Sequence, residues 1–329
     1  MTLPVHTFVW TKQPTTMPPF PKPKFAYTLD VDAERGHLRA HKTKRKLPAR
    51  KADRLLVATW NIANLGVQER KQGHYELIAE MVGWFDLVAV QEVNGNMLGL
   101  RAIMAELPDR YKVSFTDAGG NNERSAFIYD SRKLERLELV GEVAVPPSDF
   151  SDIKLPGVTA SFQGFDRNPY ICSFAWGKSV WVLLTVHSFF GSETNTADNE
   201  RRALETYAIA RWVDLERKSK NAYSPLIMAM GDFNLPMVQP GDPVYDALRK
   251  RGMELPDHTS KVYSNITDDK QYDQIAFLPG MKAMLQDAGI FDFDNALFPD
   301  LYTKNKANFK TYTKYCLSDH RPFWMELAL

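Results

Sequence analysis

Residues 225–234 read PLIMAMGDFN. An apolar run from Leu226 to Met230, unbroken by charge, predicts a strand buried on both faces. Gly231 is expected to let the backbone turn, so that Asp232 and Asn234 project to one mouth. Asp232 can accept hydrogen bonds from water or hold a cation, and Asn234 offers both a donor and an acceptor to a phosphate oxygen. Taken alone, GDFN equally describes an Asx turn that closes a strand. Its weight comes from recurrence. VATWNI (57–62), VAVQEV (88–93) and LSDHRP (317–322) are built the same way and deliver Asn61, Glu92, Asp319 and His320. Apolar strands that end in acids, amides and histidines are how an α/β scaffold assembles a hydrolytic site around a hard metal ion.

Outward from these clusters the chain alternates strand and helix signals. RLLVATW, DLVAVQ, YKVSFT and SAFIYD read as strands, HYELIAEMVGWF and MLGLRAIMAEL as helices, and GGNNE as a turn. YICSFAW and SVWVLLTVHS predict a hairpin closed around Gly177 and Lys178, ending near His187. DNERRALETYAIARWVDLERK predicts a long amphipathic helix capped by Asp198. YDQIAFL and FWMELAL are late strands. Hairpins mixed with strand–helix–strand units point to two packed mixed sheets with helices outside, not to one doubly wound parallel sheet.

Bulk properties bound the function loosely. The chain has 329 residues, 44% hydrophobic and 25% charged, with a net charge of +1, so nothing overall drives it to a polyanion. Residues 34–54 nonetheless hold nine Lys and Arg against Glu34 and Asp53. Residues 34–51 read as a short basic helix or a mobile stretch, and the segment equally as a solvated linker and as a contact for a polyanionic partner. Six prolines among residues 1–24 predict an irregular arm. The expected organisation is therefore a Pro-rich, basic arm over 1–52 and a catalytic domain over 53–329. Two cysteines, Cys172 and Cys316, cannot form a disulfide framework. No apolar run is long enough to span a bilayer, and no secretory signal pattern opens the sequence. A reduced, cytoplasmic monomer is the expectation.

The residue types also indicate a chemistry. His320 in SDHRP can take a proton from water near neutral pH if an acceptor fixes its tautomer. Asp273, at the start of YDQIAFL, is the candidate acceptor. His187 could donate to a phosphoryl oxygen whose charge grows in the transition state. Carboxylates and an amide, without a thiolate cluster or an HExxH spacing, suit Mg²⁺ or Mn²⁺.

TWNI, QE, the strand-final His187, GDFN, YDQI and SDHRP occur in one order. In that order the chain resembles the endonuclease/exonuclease/phosphatase superfamily, the metal-dependent phosphoesterases related to pancreatic-type deoxyribonuclease. The resemblance covers roughly residues 53–329. It implies a four-layer α/β/β/α sandwich and Mg²⁺-dependent phosphoester hydrolysis. It also implies Glu92 as principal metal ligand with Asn61 and Asp319 beside it, and His320 as general base oriented by Asp273. His187 is implied as the second histidine, holding the scissile phosphate or assisting the leaving group, and Asp232 with Asn234 as the pair that positions water, phosphate and a second metal. ERSAFIYD and FDRNPYICSF resemble the deoxyribonuclease branch in particular. They imply Glu123 as the acid supporting His187 and Arg167 as a phosphate contact. The expected substrate is nucleic acid, cut internally. The alternatives are a phosphomonoester or a phospholipid headgroup at the same site, and an inert binding protein on the same fold. The loop ahead of Glu123, DAGGNN, has no aromatic side chain to enter a duplex groove.

Overall fold

The computed structural model of the chain describes residues 19–258 and 260–329. Eleven strands form two sheets among these residues. The first contains β1 (Arg54–Leu65), β2 (Leu87–Asn94), β3 (Tyr111–Phe115), β4 (Glu123–Asp130), β10 (Leu285–Ile290) and β11 (Phe323–Ala328) in the order β10-β11-β1-β2-β4-β3. The second contains β5 (Glu135–Glu142), β6 (Tyr170–Trp176), β7 (Ser179–His187), β8 (Leu226–Asp232) and β9 (Asp273–Phe277) in that order. Each sheet has one parallel pair, β1 with β2 and β7 with β8, and every other pairing is antiparallel. The expected mixed sheets are therefore observed.

Period-two alternation along the strands builds the layers. On β1, Leu55 and Val57 face the second sheet, while Leu56, Ala58 and Trp60 face outward. On β2 the same split places Leu87 and Ala89 inside and Val88 and Val90 outside. The outer face of the first sheet is covered by helices α1 (Val31–Lys44), α2 (Gln72–Val82), α3 (Leu98–Glu106), α6 (Pro299–Lys304) and α7 (Lys306–Cys316). The second sheet is covered by α4 (Thr196–Lys218) and α5 (Pro243–Arg249). The result is the four-layer sandwich. None of the described helices is long and apolar enough to cross a membrane.

Several sequence expectations are corrected. Helix α4 is capped by Asn195, whose side chain accepts the Asp198 N–H. The Asp198 carboxylate instead takes the Ser192 N–H at 2.8 Å. Gly231 does not turn the chain out of its strand. It lies within β8 at φ +151°, where a Cβ would come 2.0 Å from the Val186 carbonyl oxygen, so glycine is required by the close approach of β7.

The short basic helix that the sequence allows is observed as α1, which covers the first half of the basic segment. Leu38 of α1 is fully buried against the first sheet's helical layer. Four of the segment's nine cations pair closely with the chain's own acids: Arg35 with Glu76, Arg39 with Glu80, Arg45 with Asp292, and Arg50 with both Asp86 and Asp130. Asp30 caps α1 by accepting the Ala33 N–H at 3.0 Å. Residues 1–18 of the expected Pro-rich arm lie outside the described residues.

Candidate active site

The inner-face alternation does not stop where the apolar core stops. On β7 the inward series Trp181, Leu183, Thr185 ends in His187. On β8 Met228 and Met230 are followed by Asp232, and β9 opens with Asp273 before Ile275. On β1 the inward series reaches Asn61. Four sequence-predicted residues thus share one face because each continues its strand's buried parity. Their register aligns them: His187 pairs with Asp232 across β7 and β8, and Asp232 pairs with Asp273 across β8 and β9. Below them, Gln91 ties the two sheets by donating to Thr59 and to Thr185, the latter at 2.8 Å.

Glu92 reaches the site by a different device. By parity it would point outward with Val88 and Val90, but its backbone sits at φ +60°. A non-glycine residue there is strained, and such strain concentrates at functional sites. The twist brings the carboxylate inward, where Asn64 N–H donates to Oε2 at 2.7 Å and Asn61 Nδ2 to Oε1 at 2.9 Å. Burial pushes the Glu92 carboxyl above its ordinary pKa, and Glu123 adds to this while His187 opposes it.

Asp232 sits between the two histidines, with Oδ2 3.8 Å from Nε2 of His187 and 3.8 Å from Nε2 of His320. Asn61 Nδ2 donates to Oδ2 at 3.0 Å, and Asn234 N–H donates to Oδ1 at 2.8 Å. Burial alone would raise its pKa, but the two imidazoles hold it below the ordinary value. Asn234 adopts φ +49°, which asparagine tolerates, and its amide donates to the Ser188 carbonyl at 2.8 Å.

His320 Nδ1 lies 2.7 Å from Oδ2 of Asp273, a fully buried carboxylate. Burial would depress the imidazole pKa, but Asp273 and Asp232 outweigh it and carry it well above 6.5. On the other side, His187 Nδ1 lies 3.1 Å from Glu123 Oε2, and Arg167 Nε lies 2.7 Å from the same oxygen. Burial opposes ionisation of Glu123, but His187 and Arg167 keep its pKa low. One carboxylate therefore orients the imidazole and the guanidinium together.

Asp319 lines the same cavity as Glu92, Asp232 and His187, and it is the most accessible of the three expected metal ligands. The donor set fits a hard divalent cation. Glu92, Asp319, Asp232 and Asn61 offer oxygen donors, and Asn61 Oδ1 is buried with no hydrogen-bond partner. Asp232, Asp273 and His320 form a tighter acid–imidazole group, with ligand atoms within 4.8 Å of one another. The Asp273–His320 hydrogen bond commits two of those three to each other, which suits a proton-handling pair better than a metal centre.

Sequence reasoning missed the residues that hold these groups in place. Arg70 is buried and donates to the carbonyls of Asn64, Cys316 and Leu317, binding the end of β1 to the turn before Asp319. Ser318 Oγ donates to the Asn61 carbonyl at 2.7 Å and accepts the His320 N–H at 3.0 Å. Tyr272 lays its ring against His320, with centroids 5.8 Å apart, and its hydroxyl donates to Glu193. No local pattern announces these contacts, because Arg70 and Ser318 act on backbone brought together only by the fold.

No family model matches the chain, and no curated protein does. Solved structures do match. An endonuclease/exonuclease/phosphatase from Bacteroides vulgatus is 18% identical with a TM-score of 0.55, over 84% of this chain and 99% of that one. A mannosyl-6-phosphatase from Bacteroides thetaiotaomicron is 18% identical with a TM-score of 0.53, over 84% and 100%. TDP2 from D. rerio, complexed with a single strand DNA product, is 14% identical with a TM-score of 0.54, over 84% and 99%. The four-layer sandwich described above is the fold of the endonuclease/exonuclease/phosphatase proteins.

Proposed function

We propose that this chain is a divalent-metal-dependent phosphoesterase that hydrolyses phosphodiester bonds of nucleic acid as a deoxyribonuclease-like endonuclease. The observation that carries the reading is the row His187–Asp232–Asp273 on three adjacent strands, with His320 closing it through Asp273. A buried acid–imidazole pair beside an oxygen-rich cradle is what water attack on a phosphoester needs.

In this reading Asp273 fixes the His320 tautomer, and Nε2 in the deprotonated imidazole takes the proton of the attacking water. Nε2 and Asp232 Oδ2 lie 3.8 Å apart, so one water beside the pair would donate to both. The new bond joins the water oxygen to phosphorus and the ester P–O bond breaks. His187 and Arg167, both anchored on Glu123, face the phosphoryl oxygens and offset their charge. Asn234 and Asp232 fix the phosphate's orientation. A divalent cation, Mg²⁺ or Mn²⁺, held by Glu92, Asn61 and Asp319 would neutralise the phosphate. Cys172 and Cys316 are both free and buried, which suits a reducing compartment such as the cytoplasm.

The test is cleavage of circular single-stranded DNA and supercoiled plasmid with Mg²⁺ or Mn²⁺, beside an EDTA control and His320→Ala protein. Metal-dependent linear or nicked product, lost in the variant, supports the reading. Intact circles with either metal, together with turnover of a phosphomonoester or a phospholipid headgroup, would replace nucleic acid by that substrate.

A further inference from the structure

The catalytic groups open into a cavity of about 880 Å³, large enough for a nucleotide. Its walls are not only polar. Phe20 enters from the side of Lys314 and Asp319, and Phe190 enters from the side of Tyr272. Phe190 is 42% exposed, yet its loop is fixed to α4. Phe189 N–H donates to the buried Glu205 at 3.0 Å, the Phe190 carbonyl accepts from Arg202 at 2.7 Å, and Glu193 binds Lys270 and the Tyr272 hydroxyl. Gly191 closes the loop at φ +58°, where a Cβ would meet Asp198 at 2.5 Å.

Phe20 is comparably constrained. It lies between Pro19 and Pro21, each with a fixed φ. Its N–H donates at 3.0 Å to Gln68, a buried side chain that itself donates to the Tyr315 carbonyl at 2.8 Å. Lys314 Nζ stands 5.7 Å from the Phe20 ring centre. Two aromatic rings on tethered backbone, with Lys314 and Arg167 in the same cavity, offer stacking surface beside a phosphate site. Flat rings joined to a polyanionic backbone match that combination.

We propose that Phe20 and Phe190 border a subsite for the base of an unpaired nucleotide next to the scissile phosphate. The proposal rests on the phosphodiesterase reading above and narrows it to single-stranded nucleic acid, or to a base turned out of its duplex. A base paired inside a duplex cannot lie between the Phe20 and Phe190 walls of the cavity without leaving the stack.

The experiment measures kcat/KM of the full chain with Mn²⁺ on three substrates: oligothymidylate, the same backbone carrying abasic residues throughout, and oligothymidylate annealed to its complement. The base-bearing single strand should exceed the abasic strand by about tenfold or more, and the duplex should be the poorer of the two base-bearing forms. In Phe190→Ala the base-to-abasic ratio should fall by about tenfold, and in Phe190→Trp it should be retained. Phe20→Ala should lower the same ratio. Cleavage of both single strands at equal rates, or an unchanged ratio in both alanine variants, would remove the subsite while leaving the phosphodiesterase reading standing. Failure to cleave any of the three would overturn both.

Discussion

His320 Nδ1 and Asp273 Oδ2 lie 2.7 Å apart, with the carboxylate wholly buried and its backbone N–H held by Ser264 Oγ at 3.0 Å. The imidazole therefore has one tautomer and one orientation available to it. Asp273→Asn preserves shape but removes the charge and offers the imidazole an amide. We expect kcat to fall by about 10²–10⁴-fold, with Mn²⁺ affinity unchanged. Near-full activity in that variant would separate Asp273 from catalysis.

Glu92 is twisted inward at φ +60° and held by Asn61 and Asn64. If that strain serves a cation, Glu92→Gln should weaken Mn²⁺ binding by at least about tenfold. Calorimetric titration reads this without reference to turnover. Equal Mn²⁺ affinities in the two proteins would take Glu92 out of the metal site.

Leu38 lies on α1, outside the domain as the sequence delimited it, yet it is fully buried. Leu38→Ala should cost about 2–5 kcal/mol by leaving a cavity, seen as a lower denaturant midpoint. A loss of less than about 0.5 kcal/mol would mean that α1 is peripheral to the fold.

His74 is buried, accepts the Lys71 N–H on Nδ1 at 3.0 Å and lies 2.9 Å from the Tyr312 hydroxyl through Nε2. Burial, aided by Arg70 and Lys71, lowers its pKa from 6.5 to about 4. Between those values the unfolded chain binds more protons than the folded one, so stability falls as pH drops from 6.5 toward 4. The contribution is about 3 kcal/mol across the window. His74→Gln should flatten that part of the stability–pH curve, as read from urea unfolding at several pH values. Parallel curves for the two proteins would refute the assignment.

The sandwich was legible because the strands announce themselves twice, by apolar runs and by the polar residues that end them. Asn61, His187, Asp232 and Asp273 need only the two-residue period to be placed on one face. Glu92 breaks that period, and only its backbone twist explains how it joins the others. Strands β5 and β10 carry weaker signals: ERLELVGE is a half-exposed edge strand, and LQDAGI holds two polar residues in six. The basic segment can be read as a helix from the sequence, but the acids that pair with its arginines cannot. Those acids, Glu76, Glu80, Asp86, Asp130 and Asp292, lie 36 to 247 residues away along the chain or on other elements. GDFN ends a buried strand as its sequence indicates, though Gly231 serves the packing of β7 rather than a turn.

The central claim is that this site hydrolyses phosphodiesters with a divalent cation and His320. Hydrolysis of bis(p-nitrophenyl) phosphate tests it most directly, in Mn²⁺ and in EDTA, with the unaltered protein and His320→Ala at matched folded concentration. The account predicts release of p-nitrophenol only with metal, reduced by about 10²–10⁴-fold in the variant. Equal release in EDTA, or an undiminished rate in His320→Ala, would contradict it.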